Sequence, residues 1–109
     1  MSKTQNLLVE KYHNIFNQHP FDKNLITDKA PQNFLWIGFI KIFLPNSKII
    51  HCYRNPKDNC LSIYKNHFSS NTMLWTYDQK DIAEDYILYS KIVEYWKTKF
   101  KNVIFDAND

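Results

Sequence analysis

The sequence predicts an α/β protein in which a short parallel sheet is flanked by helices. Three observations carry that expectation. Ile49-Ile-His-Cys-Tyr53 is a short apolar run with β-branched residues, too short for a helix, and it passes through Arg54 into a proline-started helix. Leu25-Ile-Thr-Asp28 repeats the arrangement, a strand ended by Lys29-Ala-Pro31 and followed by another helix. Val103 to Asp106 supplies a third strand after the longest helical stretch of the chain. Strands near 25–28, 48–53 and 103–106, alternating with helices, make βαβ units, which require parallel pairing and right-handed crossovers.

Each element has its local reason. Thr4 to Gln18 reads as an amphipathic helix with Leu8, Tyr12, Ile15 and Phe16 on one face. His19-Pro20 and the polar residues after it break the pattern and form a linker. The helix from Pro31 to about Leu44 is apolar almost all round: between Phe34 and Leu44 only Gly38 and Lys41 interrupt. Such a helix is expected to be buried between the sheet and another layer, with Trp36 and Phe39 in the core and Gly38 serving close packing. Pro45-Asn46 turns the chain into the second strand, on which Cys52 reads as a core residue. Asn55 caps the next helix, Pro56 takes its first position and Asp58 falls where a carboxylate faces the positive helix end.

After Phe68 comes a polar loop, 69–72, and then Met73, Leu74, Trp75 and Tyr77 lead to a cap at Asp78. The helix from Asp78 to about Phe100 carries Ile82, Tyr86, Tyr89, Val93, Trp96 and Phe100 on one stripe, widened by Leu88, Ile92 and Tyr95. That aromatic stripe reads as a face docked on the sheet.

Composition narrows the function classes. With 109 residues, 44% of them hydrophobic and 17% aromatic, the chain can build one domain with a core, and no more than one. A net charge of +3 suits an anionic ligand, but the basic residues are scattered, so nucleic-acid binding is not implied. No segment approaches the roughly 20 apolar residues that cross a bilayer, and the N-terminus has no signal-peptide pattern; a cytoplasmic setting is expected. Cys52 and Cys60 have neither metal-site nor C-x-x-C spacing, and His13, His19, His51 and His67 form no ligand set, so no metal is expected.

The informative joint is Arg54. It stands where a parallel strand gives way to its helix, the edge of an α/β sheet at which ligands bind. Ser62 follows eight residues later (62 − 54), two turns into the helix, on a polar face shared with Asn55, Asp58, Lys65 and Ser69. Guanidinium fork, hydroxyl and helix N-terminus can converge on one anion. The alternative from spacing alone is a solvated face beside an arginine paired with a carboxylate.

Arg54-Asn-Pro-Lys-Asp-Asn-Cys-Leu-Ser62 resembles the 3′-phosphate-binding motif of sulfotransferases that use 3′-phosphoadenosine 5′-phosphosulfate. The similarity extends through Thr27-Asp-Lys-Ala-Pro-Gln-Asn-Phe-Leu-Trp-Ile-Gly38 and Leu44-Pro-Asn-Ser-Lys-Ile-Ile-His51, about half the chain. It resembles most the branch of protein-tyrosine sulfotransferases and their bacterial tetratricopeptide-associated relatives.

The resemblance implies a P-loop-type three-layer fold, here partial, and a transferase moving a sulfuryl group from that nucleotide to a hydroxyl or amine acceptor. Arg54 and Ser62 would bind the 3′-phosphate, and Lys29, in a matching Lys-x-Pro context, would stabilise charge on the transferring sulfonate. Two features depart from the family. No glycine-bearing loop for the 5′-phosphosulfate precedes Thr27, and the final strand lacks the Tyr-Glu-Asp-Leu-type continuation. The upstream acidic base has no match either.

The resemblance therefore implies residues 1–109 as the 3′-phosphate-binding part of a domain, inactive alone, with a complementing chain or self-association expected. The alternative is a degenerate non-catalytic nucleotide-binding or protein-interaction module. A P-loop kinase relative fits less well, for no G-x-x-x-x-G-K-[ST] sequence is present.

Overall fold

Two compact units divide the chain, residues 1–47 and 48–109. A computed structural model describes residues 2–18, 25–66, 73 and 76–108. The expected linker at His19-Pro20, the loop 69–72, and Leu74 and Trp75 lie outside the described residues, as does the side chain of Phe16.

In the first unit, helix α1 spans Lys3–Asn17. Ser2 and Gln5 start it by a reciprocal pair of bonds: the Ser2 N–H donates to Gln5 Oε1 at 2.7 Å, and the Gln5 N–H donates to Ser2 Oγ at 3.2 Å. This is a capping box, and it satisfies two backbone donors at the helix end. Pro31–Trp36 forms a 3₁₀ helix that runs directly into α2, Ile37–Phe43. Lys41 closes α2, its Nζ donating to the carbonyls of Pro45 at 2.6 Å and Ser47 at 2.8 Å.

Two expectations for this unit fail. Residues 25–30 are in no strand, so the first predicted strand, Leu25–Asp28, does not form and no crossover starts from it. A strand needs a partner for its backbone groups, which four suitable side chains cannot supply by themselves. The apolar helix is also not buried all round. Ile37 is buried, whereas Trp36 and Phe39 are 55% and 56% exposed.

The second unit holds the sheet. Strand β1, Ile49–Tyr53, leads to α3, Pro56–Lys65, then to the long α4, Gln79–Lys99, and to β2, Ile104–Asn108. The two strands pair in parallel with Ile49 opposite Ile104, His51 opposite Asp106 and Tyr53 opposite Asn108. The α/β class therefore stands, carried by a two-stranded parallel sheet and packed helices.

Both predicted caps form. Asn55 Oδ1 accepts from the Lys57 N–H at 2.9 Å, and Asp78 Oδ1 accepts from the N–H groups of Lys80 at 2.7 Å and Asp81 at 3.4 Å. Ile82 and Val93 on α4 are buried, and α3 packs against α4. Tyr86, Tyr89, Ile92, Trp96 and Phe100 are half-buried on the same helix, as the stripe predicts. Leu88 and Tyr95 are exposed, so the stripe is narrower than the sequence suggests.

Strand side chains alternate faces. His51 turns to α4, while Ile50 and Cys52 are exposed, which corrects the core reading of Cys52. Between α4 and β2, Asn102 sits at φ 64°, a left-handed position that asparagine tolerates better than branched residues. No described helix is long and apolar enough to cross a membrane.

Candidate functional site

Arg54 lies at the joint of β1 and α3, as the motif requires, and is exposed. It opens onto a cleft of about 150 Å³ lined also by Cys52, Tyr53, Asn59, Tyr86 and Tyr89. Three elements build this wall: the end of β1, the first turn of α3 and the docked face of α4. Pockets for drug-sized ligands run to roughly 300–1,000 Å³, so this cleft is small beside them and of a size for one compact group such as a phosphate. Among the described residues, the ion pairs are His51–Asp106, Lys80–Glu84 and Lys97–Asp106, and none involves Arg54. Among the described residues, no carboxylate is thus paired with Arg54.

Ser62 is exposed on α3 and does not line the cleft. Six positions beyond Pro56, it stands about 9 Å further along the helix axis. Its carbonyl accepts from the backbone N–H and the side-chain amide of Asn66, at 3.2 and 2.7 Å. Asn59, one turn into α3, takes the place nearer the joint. Lys29 lies in the first unit, exposed, on a segment with no strand before it. Lys29 therefore does not stand at a strand end as Arg54 does. Beside it, Asp28 accepts the Tyr12 hydroxyl at 3.2 Å, and burial together with Asp28 pushes the Tyr12 phenol up.

Behind the Arg54 cleft runs a chain of polar groups that the sequence did not announce. His51 is 16% exposed, and its Nδ1 lies 2.8 Å from Asp106 Oδ1 across the strand pair. Its Nε2 bonds the Tyr89 hydroxyl on α4. Lys97 Nζ donates to the other carboxylate oxygen, Oδ2, at 2.8 Å. Asp106 is held below the usual carboxylate range, first by the hydrogen bond from Lys97 and then by that from His51. An ionised carboxylate only accepts, so His51 Nδ1 carries the proton in the neutral ring. Nε2 is then the acceptor and Tyr89 the donor. Burial pushes the Tyr89 phenol up, helped by Tyr86 and Asp106, so it keeps its proton at neutral pH. With the His51 ring neutral, tautomer and donor direction are fixed along the sequence Lys97–Asp106–His51–Tyr89.

These groups border a second cleft of about 190 Å³, which shares Tyr53, Tyr86 and Tyr89 with the first. The rings form a continuous wall: His51 stacks on Tyr53 with centroids 5.7 Å apart, and Tyr86 meets Tyr89 at 5.6 Å. Sequence reading placed Tyr86 and Tyr89 on the docked face, and of His51 it said only that the histidines form no ligand set. Its one available signal was a histidine in mid-strand, and the pairing that sets it opposite Asp106 is a matter of register. No group of described His, Cys, Asp and Glu residues has the makings of a metal site.

A family model described as the sulfotransferase family matches residues 2–107. An uncharacterized protein of Aquifex aeolicus (strain VF5) is 32% identical over 94 residues, which cover 84% of this chain and 12% of that protein. The chain thus spans about an eighth of that relative's length. No solved structure matches the chain.

Proposed function

The chain belongs to the sulfotransferase family, and on that premise we propose that residues 1–109 form the part of a sulfotransferase domain that grips the 3′-phosphate of 3′-phosphoadenosine 5′-phosphosulfate. The observation that carries the proposal is Arg54. It is exposed, outside every ion pair among the described residues, and set at a strand-to-helix joint beside a phosphate-sized cleft. A guanidinium fork presents two parallel N–H donors to a phosphate, and the positive end of α3 lies at the same joint. Ser62 is the second anchor, adding its hydroxyl from further along α3.

In the complete enzyme the bound nucleotide passes its sulfuryl group to a hydroxyl or amine of an acceptor. The bond from sulfur to the nucleotide's phosphate oxygen breaks as the bond to the acceptor forms, and the acceptor's proton leaves to a base. Negative charge grows on the leaving phosphate oxygen, and Lys29 is the residue proposed to meet it. The sequence supports this role by its Lys-x-Pro context. Portions beyond this sequence supply the 5′-phosphosulfate loop and the base, so the isolated chain binds without turning over.

Calorimetric titration of the chain with adenosine 3′,5′-bisphosphate and with adenosine 5′-phosphate tests the reading. A charged phosphate contact is worth roughly 1.5–3 kcal/mol, so Arg54→Ala weakens bisphosphate binding about ten- to a hundredfold. The monophosphate binds the wild type poorly and is indifferent to the substitution. Equal losses for both nucleotides assign Arg54 to the fold. Binding with full affinity but no transfer in any longer protein favours a non-catalytic nucleotide-binding module.

A further inference from the structure

We propose that the flank of α4 bearing Leu88, Ile92 and Tyr95 is the seam of a two-fold dimer, in which α4 pairs antiparallel with α4 of a second copy of this chain. The inference goes beyond the reading of Arg54 as a phosphate anchor, and neither needs the other.

Each of the three precedes by one position a residue of the docked stripe: Leu88 precedes Tyr89, Ile92 precedes Val93 and Tyr95 precedes Trp96. One position is about 100° of helix rotation, so the seam is a flank of α4 and not the docked face itself. Leu88 and Tyr95 are more than half exposed, and Ile92 is half-buried. Asp81, Asp85 and Lys99 extend the same line, all exposed. From Asp81 to Lys99 the spacings run four, three, four, three and four residues, the interval of a helix-on-helix seam. Its middle is apolar, its first two turns are acidic and its last turn is basic.

That order of charge selects the occupant. Laid antiparallel on a second copy, with the two-fold axis at the level of Ser90, Leu88 faces Ile92, Asp85 faces Tyr95 and Asp81 faces Lys99. The members of each pair lie two, five and nine positions to either side of Ser90. The aliphatic residues cover one another, the Tyr95 hydroxyl meets a carboxylate to donate to, and both ends close on ion pairs. A parallel pair would instead set Asp81 against Asp81 and Lys99 against Lys99. The charges are available for this. Among the described residues, Glu84 is paired with Lys80 and Lys97 with Asp106, while the side chains of Asp81, Asp85 and Lys99 enter no ion pair. A single helix pair of about 27 Å stays below the roughly 1,200 Å² of a standard interface, so the dimer is weak and reversible.

Sedimentation equilibrium of the 109-residue chain, from about 10 μM to about 1 mM, covers weak association of this kind. The wild type passes from monomer to dimer across that range. Leu88→Glu weakens dimerisation at least about a hundredfold, because the two-fold places the new charge against Ile92 twice. Asp81→Lys and Lys99→Asp each turn both end pairs from attraction to repulsion and weaken it about tenfold. Mixed in equal amounts, those two variants are complementary at both ends, and they associate with each other as tightly as the wild type does with itself. Added salt narrows the gap between the mixture and the single variants. All three substituted positions are exposed, and far-UV circular dichroism checks that each variant keeps its helices.

A chain that stays monomeric throughout overturns the inference and leaves this flank to a helix from another portion of a longer protein. A dimer that survives Leu88→Glu also overturns it, for its interface then lies elsewhere, the exposed Ile50 and Phe105 of the sheet being the next surface. If Leu88→Glu separates the copies but the mixture associates no better than either variant alone, the antiparallel pairing is wrong and the inference falls.

Discussion

Ile82→Ala tests whether α4 is held in place by the contacts that build the cleft. Ile82 is 3% exposed and shares its helix face with Tyr86, Tyr89 and Val93, at spacings of four, seven and eleven residues. The substitution removes three carbons. At about 0.8 kcal/mol per buried carbon the transfer loss is about 2.4 kcal/mol, and the cavity left behind takes the total into the range of about 2–5 kcal/mol. Leu88 is on the same helix, 56% exposed, and Leu88→Ala is expected to cost no more than about 0.5 kcal/mol. Urea unfolding followed by far-UV circular dichroism measures both. With a slope of about 1–2 kcal/mol per molar for a small protein, Ile82→Ala moves the midpoint down by more than 1 M, approximately, and Leu88→Ala hardly moves it. Equal costs for the two would refute the docking of α4 through its Ile82–Val93 face, and with it the wall shared by both clefts.

Other consequences follow from single contacts. Asp78→Ala removes the cap of α4 and is expected to cost about 1 kcal/mol in the same unfolding assay. Asn102→Val forces a branched residue into a left-handed position and costs about 1–2 kcal/mol, whereas Asn102→Gly costs nothing measurable. Asp106 has a lowered folded-state pKa, so its share of stability is present above the unfolded value of 3.8 and is lost as pH falls through the folded one; Lys97→Met reduces that acid-side loss in pH-dependent thermal melts. Tyr89 has a raised pKa, so its contribution is complete below the unfolded value of 10.0 and is lost as pH rises through the folded one; Tyr89→Phe flattens the alkaline limb.

Local chemistry was the legible part of this sequence. Asn55-Pro56 and Asp78 specify helix starts by themselves, because a cap needs only a side-chain oxygen two or three residues from its donors. The β1–Arg54–α3 joint was legible for the same reason. Leu25–Asp28 failed because strand formation depends on a neighbour to accept and donate across the ladder, and no short run of residues records where that neighbour is. Trp36 and Phe39 failed likewise: apolarity states what burial would gain, and not which surface covers it. The His51–Asp106–Tyr89 connection was out of reach for a third reason. It depends on a one-residue register between strands more than fifty residues apart in sequence, and slipping by one turns Asp106 to the other face.

The central claim is that Arg54 receives the 3′-phosphate. A crystal structure of the chain with adenosine 3′,5′-bisphosphate measures that contact directly. The account predicts 3′-phosphate oxygens within about 3 Å of the Arg54 guanidinium nitrogens, between the end of β1 and the first turn of α3, with the Ser62 hydroxyl drawn to the same group. A nucleotide bound elsewhere, or one whose 3′-phosphate faces solvent while Arg54 pairs with a carboxylate, would contradict it.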